Sequence, residues 1–191
     1  MLTVYSVSTL LVALAEMGDR TQLLAILLAS RFRAPVPILL GILVATISNH
    51  LLAAFVGYYL AEILSAAWFK YAIALSFIAM AVWTLVPDKS DENGKDPIRT
   101  GVFFTTMTSF FLVEMGDKTQ IATATLAAHF HNIVVVVAGT TTGMMLANIP
   151  AVLLGNAVTR IIPVTSLRWA AAAVYLGLGL WALATAGGHH H

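Results

Sequence analysis

The sequence predicts an all-α integral membrane protein with six transmembrane helices, arranged as two inverted repeats of three helices each. Of the 191 residues, 59% are hydrophobic and 10% are charged, whereas a soluble domain carries roughly 25% charged residues. The second half of the chain repeats the first, and basic residues collect on one side of the hydrophobic segments. A lipid bilayer is therefore the expected environment. The net charge of +1 gives no basic surface for nucleic acid, and no nucleic-acid partner is expected.

Six hydrophobic segments can be placed, since a spanning helix needs about 20 mostly apolar residues. They lie at residues 3–30, 36–61, 68–86, 100–128, 133–158 and 167–186. Residues 119–159 contain no Asp, Glu, Lys or Arg, but as one helix they would be roughly 60 Å long, about twice the thickness of the hydrocarbon core. This stretch must therefore turn, and the polar residues 129–132 are the expected corner.

The second half of the chain corresponds to the first at a constant spacing of 98 residues, so that Glu16 matches Glu114 and Trp83 matches Trp181 without a gap. The predicted units are a first repeat at 1–87, a charged linker at 88–99, a second repeat at 100–186 and a tag remnant at 187–191. Because each repeat has an odd number of helices, the second enters the membrane from the opposite side. Inverted repeats are typical of transporters that alternate access around a site near the membrane midplane.

Basic residues predict the orientation. The loops after the first, third and fifth predicted helices lie on one side, which includes the charged linker. These loops hold seven basic residues: Arg31, Arg33, Lys89, Lys95, Arg99, Arg160 and Arg168. The opposite side has Lys70 alone. Because cytoplasmic loops carry the excess of Lys and Arg, the linker is expected in the cytoplasm and both termini outside it.

Ionisable residues lie unusually deep in the first and fourth predicted helices. Glu16 is about 12 residues into the first helix, roughly 18 Å along its axis, and Glu114 has the matching position in the fourth. The groups that follow these two acids are Asp19, Arg20, Asp117 and Lys118. An ionised side chain at this depth costs several kcal/mol unless it is paired or hydrated, which indicates a functional site.

On a continuous helix, Glu16 and Asp19 would share a face, and Gln22 would extend the same polar surface. Arg20 follows Glu16 at the spacing of a favourable ion pair. If the two helices cross, four carboxylates and two carboxamides, including that of Gln120, converge. Such an all-oxygen site suits hard divalent cations.

Further polar residues lie at mid-depth in the second and fifth predicted helices. Asn49 and Asn148 are candidate ligands, with hydrogen bonding between helices as an equal alternative. His50 is expected to be a structural or proton-handling group more than a ligand. Gly18 and Gly116 permit either close helix contact or an unwound backbone, and both possibilities stay open.

The charge balance of the site predicts the mechanism. Four carboxylates and two bases sum to −2, which one divalent cation neutralises. In the empty site protons should replace the cation, because buried negative charge is costly. Cation/proton antiport follows, with a uniporter and a metal-gated channel as alternatives. An exporter of amino acids or other small solutes is a further alternative, whereas the symmetric duplication argues against a hydrolase. No enzyme activity or cofactor is expected.

Residues 16–21, Glu-Met-Gly-Asp-Arg-Thr, and 114–119, Glu-Met-Gly-Asp-Lys-Thr, resemble the E-x-G-D-[KR]-[ST] signature of the GDT1 family, also called UPF0016. The resemblance covers essentially the whole untagged chain. It implies a secondary transporter of Mn²⁺, and in eukaryotic members also of Ca²⁺, exchanged for protons. Compact bacterial members resemble manganese exporters of the inner membrane. The resemblance implies these motif positions: acids Glu16, Asp19, Glu114 and Asp117, bases Arg20 and Lys118, and hydroxyls Thr21 and Thr119.

Overall fold

The computed structural model describes residues 1–63, 67–85, 101–154 and 164–187, which form eight helices and no strand. In chain order these are α1 (Leu2–Glu16), α2 (Arg20–Phe32), α3 (Pro35–Ile63), α4 (Ala67–Leu85), α5 (Val102–Glu114), α6 (Lys118–Phe130), α7 (Ile133–Leu154) and α8 (Val164–Gly187). The predicted all-α class is confirmed. The predicted linker at 88–99 lies outside the described residues, as does the tag remnant beyond residue 187.

The segments predicted as single helices at 3–30 and 100–128 each contain two helices, because the backbone is broken at the charged motif. α1 ends three residues before Asp19, and α5 ends three residues before Asp117. The cause is the backbone of Gly18 and Gly116, whose φ angles of 79° and 75° lie in the left-handed region that glycine enters without steric cost. Of the two possibilities that these glycines left open, the unwound backbone is the one observed.

The predicted corner between the fourth and fifth hydrophobic segments is confirmed. α6 ends at Phe130, and His131 follows with a left-handed φ of 50°. The Asn132 side chain then accepts a hydrogen bond from the Val135 N–H at 3.1 Å, and α7 runs from Ile133. The chain therefore reverses at these residues.

Among the described residues, two helical segments are by length and composition able to cross a membrane on their own, Pro35–Ala61 in α3 and Ile133–Leu154 in α7. Shorter apolar segments are Leu2–Glu16, Tyr71–Val82, Val102–Glu114 and Ala172–Ala184. Large apolar side chains are exposed along α3, among them Leu52, Phe55, Val56 and Tyr59. A contiguous apolar surface of this kind fits contact with lipid.

The packing is exchanged between the two halves: the broken helix of each half contacts the long helix of the other half. α1 packs against α7 of the second half, and α5 packs against α3 of the first half. In the same way α2 contacts α7 and α6 contacts α3, while α4 packs against α8. Each broken helix thus rests on the long helix of the other half, and this arrangement brings the two charged motifs together.

Close helix contact depends on several glycines of the long helices, among them Gly57 and Gly143. A side chain at Gly57 of α3 would overlap the backbone of Ala124 in α6. A side chain at Gly143 of α7 would collide with backbone atoms of Thr9 and Ala13 in α1. The exchanged packing therefore needs backbones closer than any other residue allows.

Replacing Gly57 by Ala is expected to destabilise the protein by roughly 1–3 kcal/mol, because the added methyl group meets backbone rather than a movable side chain. The measurement is the midpoint of thermal unfolding of the purified protein in detergent. Gly177→Ala is the control, since no atom lies within 4 Å of its added methyl group and helix propensity favours alanine. Equal midpoints for the two variants would contradict the packing described here.

Candidate metal centre

Each break places two acids at facing helix ends. Glu16 is the last residue of α1 and Asp19 is the N-cap of α2. Glu114 and Asp117 occupy the same positions in α5 and α6. All four side chains are buried. The expected shared face of a continuous helix is thus replaced by acids that project from two helix termini, because the backbone changes direction between them.

Glutamine side chains hold the unwound backbone in shape. The Gly18 N–H donates a hydrogen bond to Gln22 Oε1 at 2.8 Å, and the Gly116 N–H donates to Gln120 Oε1 at 2.7 Å. Gln22 Nε2 also donates to the Ala147 carbonyl at 3.1 Å. These carboxamide oxygens are engaged by backbone in this conformation, and their expected role as metal ligands stays a prediction.

Two ion pairs join the halves of the chain. Lys118 Nζ lies 2.6 Å from Asp19 Oδ1, and Arg20 lies 3.1 Å from Asp117 Oδ1. The expected pairing of Arg20 with Glu16 was wrong, because the break removes the helical geometry on which that spacing depends. The Lys118 pair is buried, with side-chain exposures of 4% and 0%, whereas the Arg20 side chain is 38% exposed.

Three acids form a cluster that could hold a metal ion. One carboxylate oxygen from each of Glu16, Asp19 and Asp117 lies within 4.8 Å of the other two. Oxygens bound to a single Ca²⁺ at 2.3–2.6 Å are at most about 5 Å apart, so this spacing fits one hard cation. Both Glu16 oxygens are buried and accept no hydrogen bond from the described part of the chain. A cation would satisfy them.

Glu114 differs from Glu16 although the motif is duplicated. Thr46 Oγ1 donates a hydrogen bond to Glu114 Oε1 at 3.1 Å, and Asn49 Nδ2 donates to Glu114 Oε2 at 3.1 Å. Asn49 thus connects α3 to α5, which is the hydrogen bonding between helices that the sequence left as one of its two possible roles. The sequence analysis missed Thr46, which lies one helical turn before Asn49.

The difference between the two glutamates has a cause in the sequence. At the repeat spacing, Thr46 and Asn49 correspond to Met144 and Ala147. Neither Met144 nor Ala147 has a side-chain hydrogen-bond donor, so these two positions of α7 cannot offer Glu16 what Thr46 and Asn49 offer Glu114. The duplicated motif therefore has unequal surroundings.

Of the other predicted residues, Asn148 and His50 are buried but are not joined to the acid cluster by hydrogen bonds, whereas Thr119 is. Asn148 donates to the carbonyl and the sulfur of Met144 within its own helix. His50 is buried, and neither ring nitrogen has a partner among the described residues. The Thr119 hydroxyl donates to Asp117 Oδ2 at 3.1 Å, whereas the equivalent hydroxyl of Thr21 has no partner in the described ranges.

The sequence analysis also missed Tyr175 of α8. Its side chain is fully buried in one apolar cluster with Leu11 and Ala15 of α1, and its hydroxyl has no hydrogen-bond partner in the described part of the chain. The signal that could have found it is the repeat itself, since Phe77 occupies the equivalent position. A hydroxyl present in only one repeat marks a difference that packing alone does not require.

Replacing Lys118 by Met is expected to destabilise the protein by about 3–5 kcal/mol, because Asp19 loses its buried basic partner. Arg20→Met should cost less than about 1 kcal/mol, since solvent screens the half-exposed arginine. Thermal unfolding in detergent measures both. Adding Asp19→Asn to Lys118→Met should recover most of the loss. Equal destabilisation by the two single variants would contradict this assignment.

Comparison with known proteins gives the family of the chain. The profile of the family described as "Divalent cation/proton antiporter GDT1" matches residues 4–92 and 102–190, two segments separated by the repeat spacing. The chain is also 46% identical over 187 residues to a Vibrio cholerae protein named "Putative manganese exporter", covering 97% of this chain and 91% of the relative. No solved structure matches the chain. The chain belongs to the GDT1 family and is a membrane transporter of divalent cations.

Proposed function

We propose that the protein exports Mn²⁺ from the cytoplasm in exchange for protons, with Ca²⁺ as the second candidate cargo. The observation that carries the proposal is the buried cluster of Glu16, Asp19 and Asp117, whose oxygens are spaced for one hard cation. The family description supports proton exchange, and the name of the Vibrio cholerae relative supports manganese. The predicted ligands are Glu16, Asp19, Gln22, Glu114, Asp117, Gln120, Asn49 and Asn148.

The proposed arrangement in the membrane has six spans in two inverted repeats, 1–87 and 100–186, joined by the linker at 88–99. α1 and α2 together form the first span, and α5 and α6 form the fourth. With 15 and 13 residues, α1 and α2 supply about 42 Å of helix, enough to cross a hydrocarbon core of about 30 Å with the break inside it. The exchanged packing of the two halves supports this arrangement.

The proposed location is a bacterial inner membrane, with both termini in the periplasm and the linker in the cytoplasm. Among the described residues, Arg31 and Arg33 support this orientation. Both lie at the C-terminal end of α2, and the positive-inside rule places such bases in the cytoplasm. The remaining bases that favour this orientation lie outside the described residues or have undescribed side chains.

Proton exchange is supported by the distribution of charge around the site. Asp19 and Asp117 each have a basic partner from the other half, whereas no ion pair to Glu16 or Glu114 is found in the described ranges. These two glutamates balance the charge of one divalent cation. When the cation leaves, a proton on each removes the cost of buried uncompensated charge. Glu16 and Glu114 are therefore the proposed carriers of the exchanged protons.

Alternating access is supported by the unequal exposure of the two breaks. Met115 and Gly116 at the second break are exposed, whereas Met17 and Gly18 at the first are half-buried. Inverted repeats that are equivalent in sequence but unequal in exposure fit a conformation open to one side. The proposed transport step exchanges the two environments while the cation stays between the motifs.

Glu16→Gln is expected to lower the initial rate of Mn²⁺ transport more than ten-fold, on the order of the loss of a buried charged ligand, while the protein still inserts. Glu114→Gln should have the same effect. The measurement uses purified protein in liposomes that contain a pH-sensitive dye, with Mn²⁺ or Ca²⁺ added outside. The lumen should become more alkaline as the cation enters.

Ser48→Ala is the matched control for this experiment. Ser48 neighbours Asn49 on α3, but it is only half-buried and its hydroxyl donates to the Val44 carbonyl of its own helix. Its transport rate should equal that of the unmodified protein. Cation entry without proton movement would contradict exchange and favour a channel or uniporter. Normal transport by Glu16→Gln would remove this carboxylate from the site.

A further inference from the structure

We propose that Tyr175 is a positioning residue of the cation site, whose hydroxyl donates a hydrogen bond to the Glu16 carboxylate when the cation is bound. The inference rests on the proposed function, because it requires Glu16 to be a ligand. It assigns to α8, which carries none of the predicted ligands, a direct part in the site.

The location of the Tyr175 side chain supports this role. Tyr175 is fully buried and packs in one apolar cluster with Leu11 and Ala15 of α1 and Ala122 of α6. α1 ends at Glu16, one residue beyond Ala15. α8 also contacts α1, so the tyrosine and the residue before Glu16 belong to one packed region between these two helices.

The Tyr175 hydroxyl and the Glu16 carboxylate both lack a hydrogen-bond partner in the described part of the chain. A hydroxyl is a donor and an ionised carboxylate is only an acceptor, so each supplies what the other lacks. Buried polar groups are rarely left without a partner, and metal-binding carboxylates are normally held by such second hydrogen bonds.

The two repeats differ in the hydrogen-bond donors around their glutamates. Glu114 receives its two donors from Thr46 and Asn49 on the long helix of the other half. Glu16 has Met144 and Ala147 in the equivalent places and cannot be held in that way. The hydroxyl at position 175, where the other repeat has Phe77, compensates for this loss from a different helix. In this proposal each glutamate has a hydrogen-bond donor. The donors of Glu114 come from the long helix α3, and the donor of Glu16 comes from α8.

Tyr175→Phe tests the inference with little disturbance of packing, since phenylalanine occupies the equivalent place in the other repeat. The KM for Mn²⁺ should rise about ten-fold, the size expected for one hydrogen bond to a charged group. The increase in unfolding temperature caused by added Mn²⁺ should shrink accordingly. Without metal, the unfolding temperature should stay unchanged. Phe77→Tyr is the matched control, and its KM should not change.

Restoring a donor from α7 provides a second test. Met144→Thr places a hydroxyl where the other repeat has Thr46, and it replaces a large side chain by a smaller one. Added to Tyr175→Phe, it should return the KM for Mn²⁺ towards the original value. An increase in KM that persists in this double variant, whose yield and unfolding temperature match those of Tyr175→Phe, would argue against a role through Glu16.

The outcomes separate the inference from the proposed function on which it rests. Normal transport by Glu16→Gln would overturn both. If Glu16→Gln fails while Tyr175→Phe keeps its KM and its stabilisation by Mn²⁺, the proposed function stands and the role of Tyr175 is wrong. A lower unfolding temperature of metal-free Tyr175→Phe with an unchanged KM would show that the tyrosine only packs.

Discussion

The buried carboxylates of each half need a basic partner from the other half, and the rest of the structure depends on this requirement. Asp19 meets Lys118 and Asp117 meets Arg20, so each half supplies the base that the other requires. Neither half could bury its own acids alone at acceptable cost. This reciprocal requirement explains why each broken helix packs on the long helix of the other half. The same contacts leave Glu16 next to both aspartates, where a cation can join the two halves.

Much of this architecture could be read from the sequence because it depends on composition and spacing. The helical class, the turn at His131 and the burial of the motif acids follow from apolar segments interrupted by a few charges. The division of the helices could not be derived, because glycine at position 18 permits two backbone conformations and packing chooses between them. The ion pairs between halves depend on that choice. Tyr175 was missed because an aromatic residue in an apolar helix ordinarily indicates packing alone.

The two halves also show how a duplicated site diverges without losing its motif. The acids and bases are the same in kind, but their neighbours on the long helices have changed from Thr46 and Asn49 to Met144 and Ala147. In the proposed alternating-access cycle, a symmetric arrangement would hold both glutamates equally and would favour neither the inward-open nor the outward-open state. Unequal neighbours would give these two states different energies, so the resting state of such a transporter could change without any change in its ligands.

The glutamines that accept hydrogen bonds from the broken backbone have a consequence for the thermodynamics of cation binding at the proposed site. Gln22 and Gln120 satisfy the N–H groups of Gly18 and Gly116, so the chain itself holds the backbone that carries the motif acids. In the proposed cation site, little conformational entropy would therefore be lost when the ion enters. Under the proposed function, the affinity of this site would be governed by dehydration of the ion and by its competition with protons. A preorganised site of this kind would bind and release its ion quickly, as turnover demands.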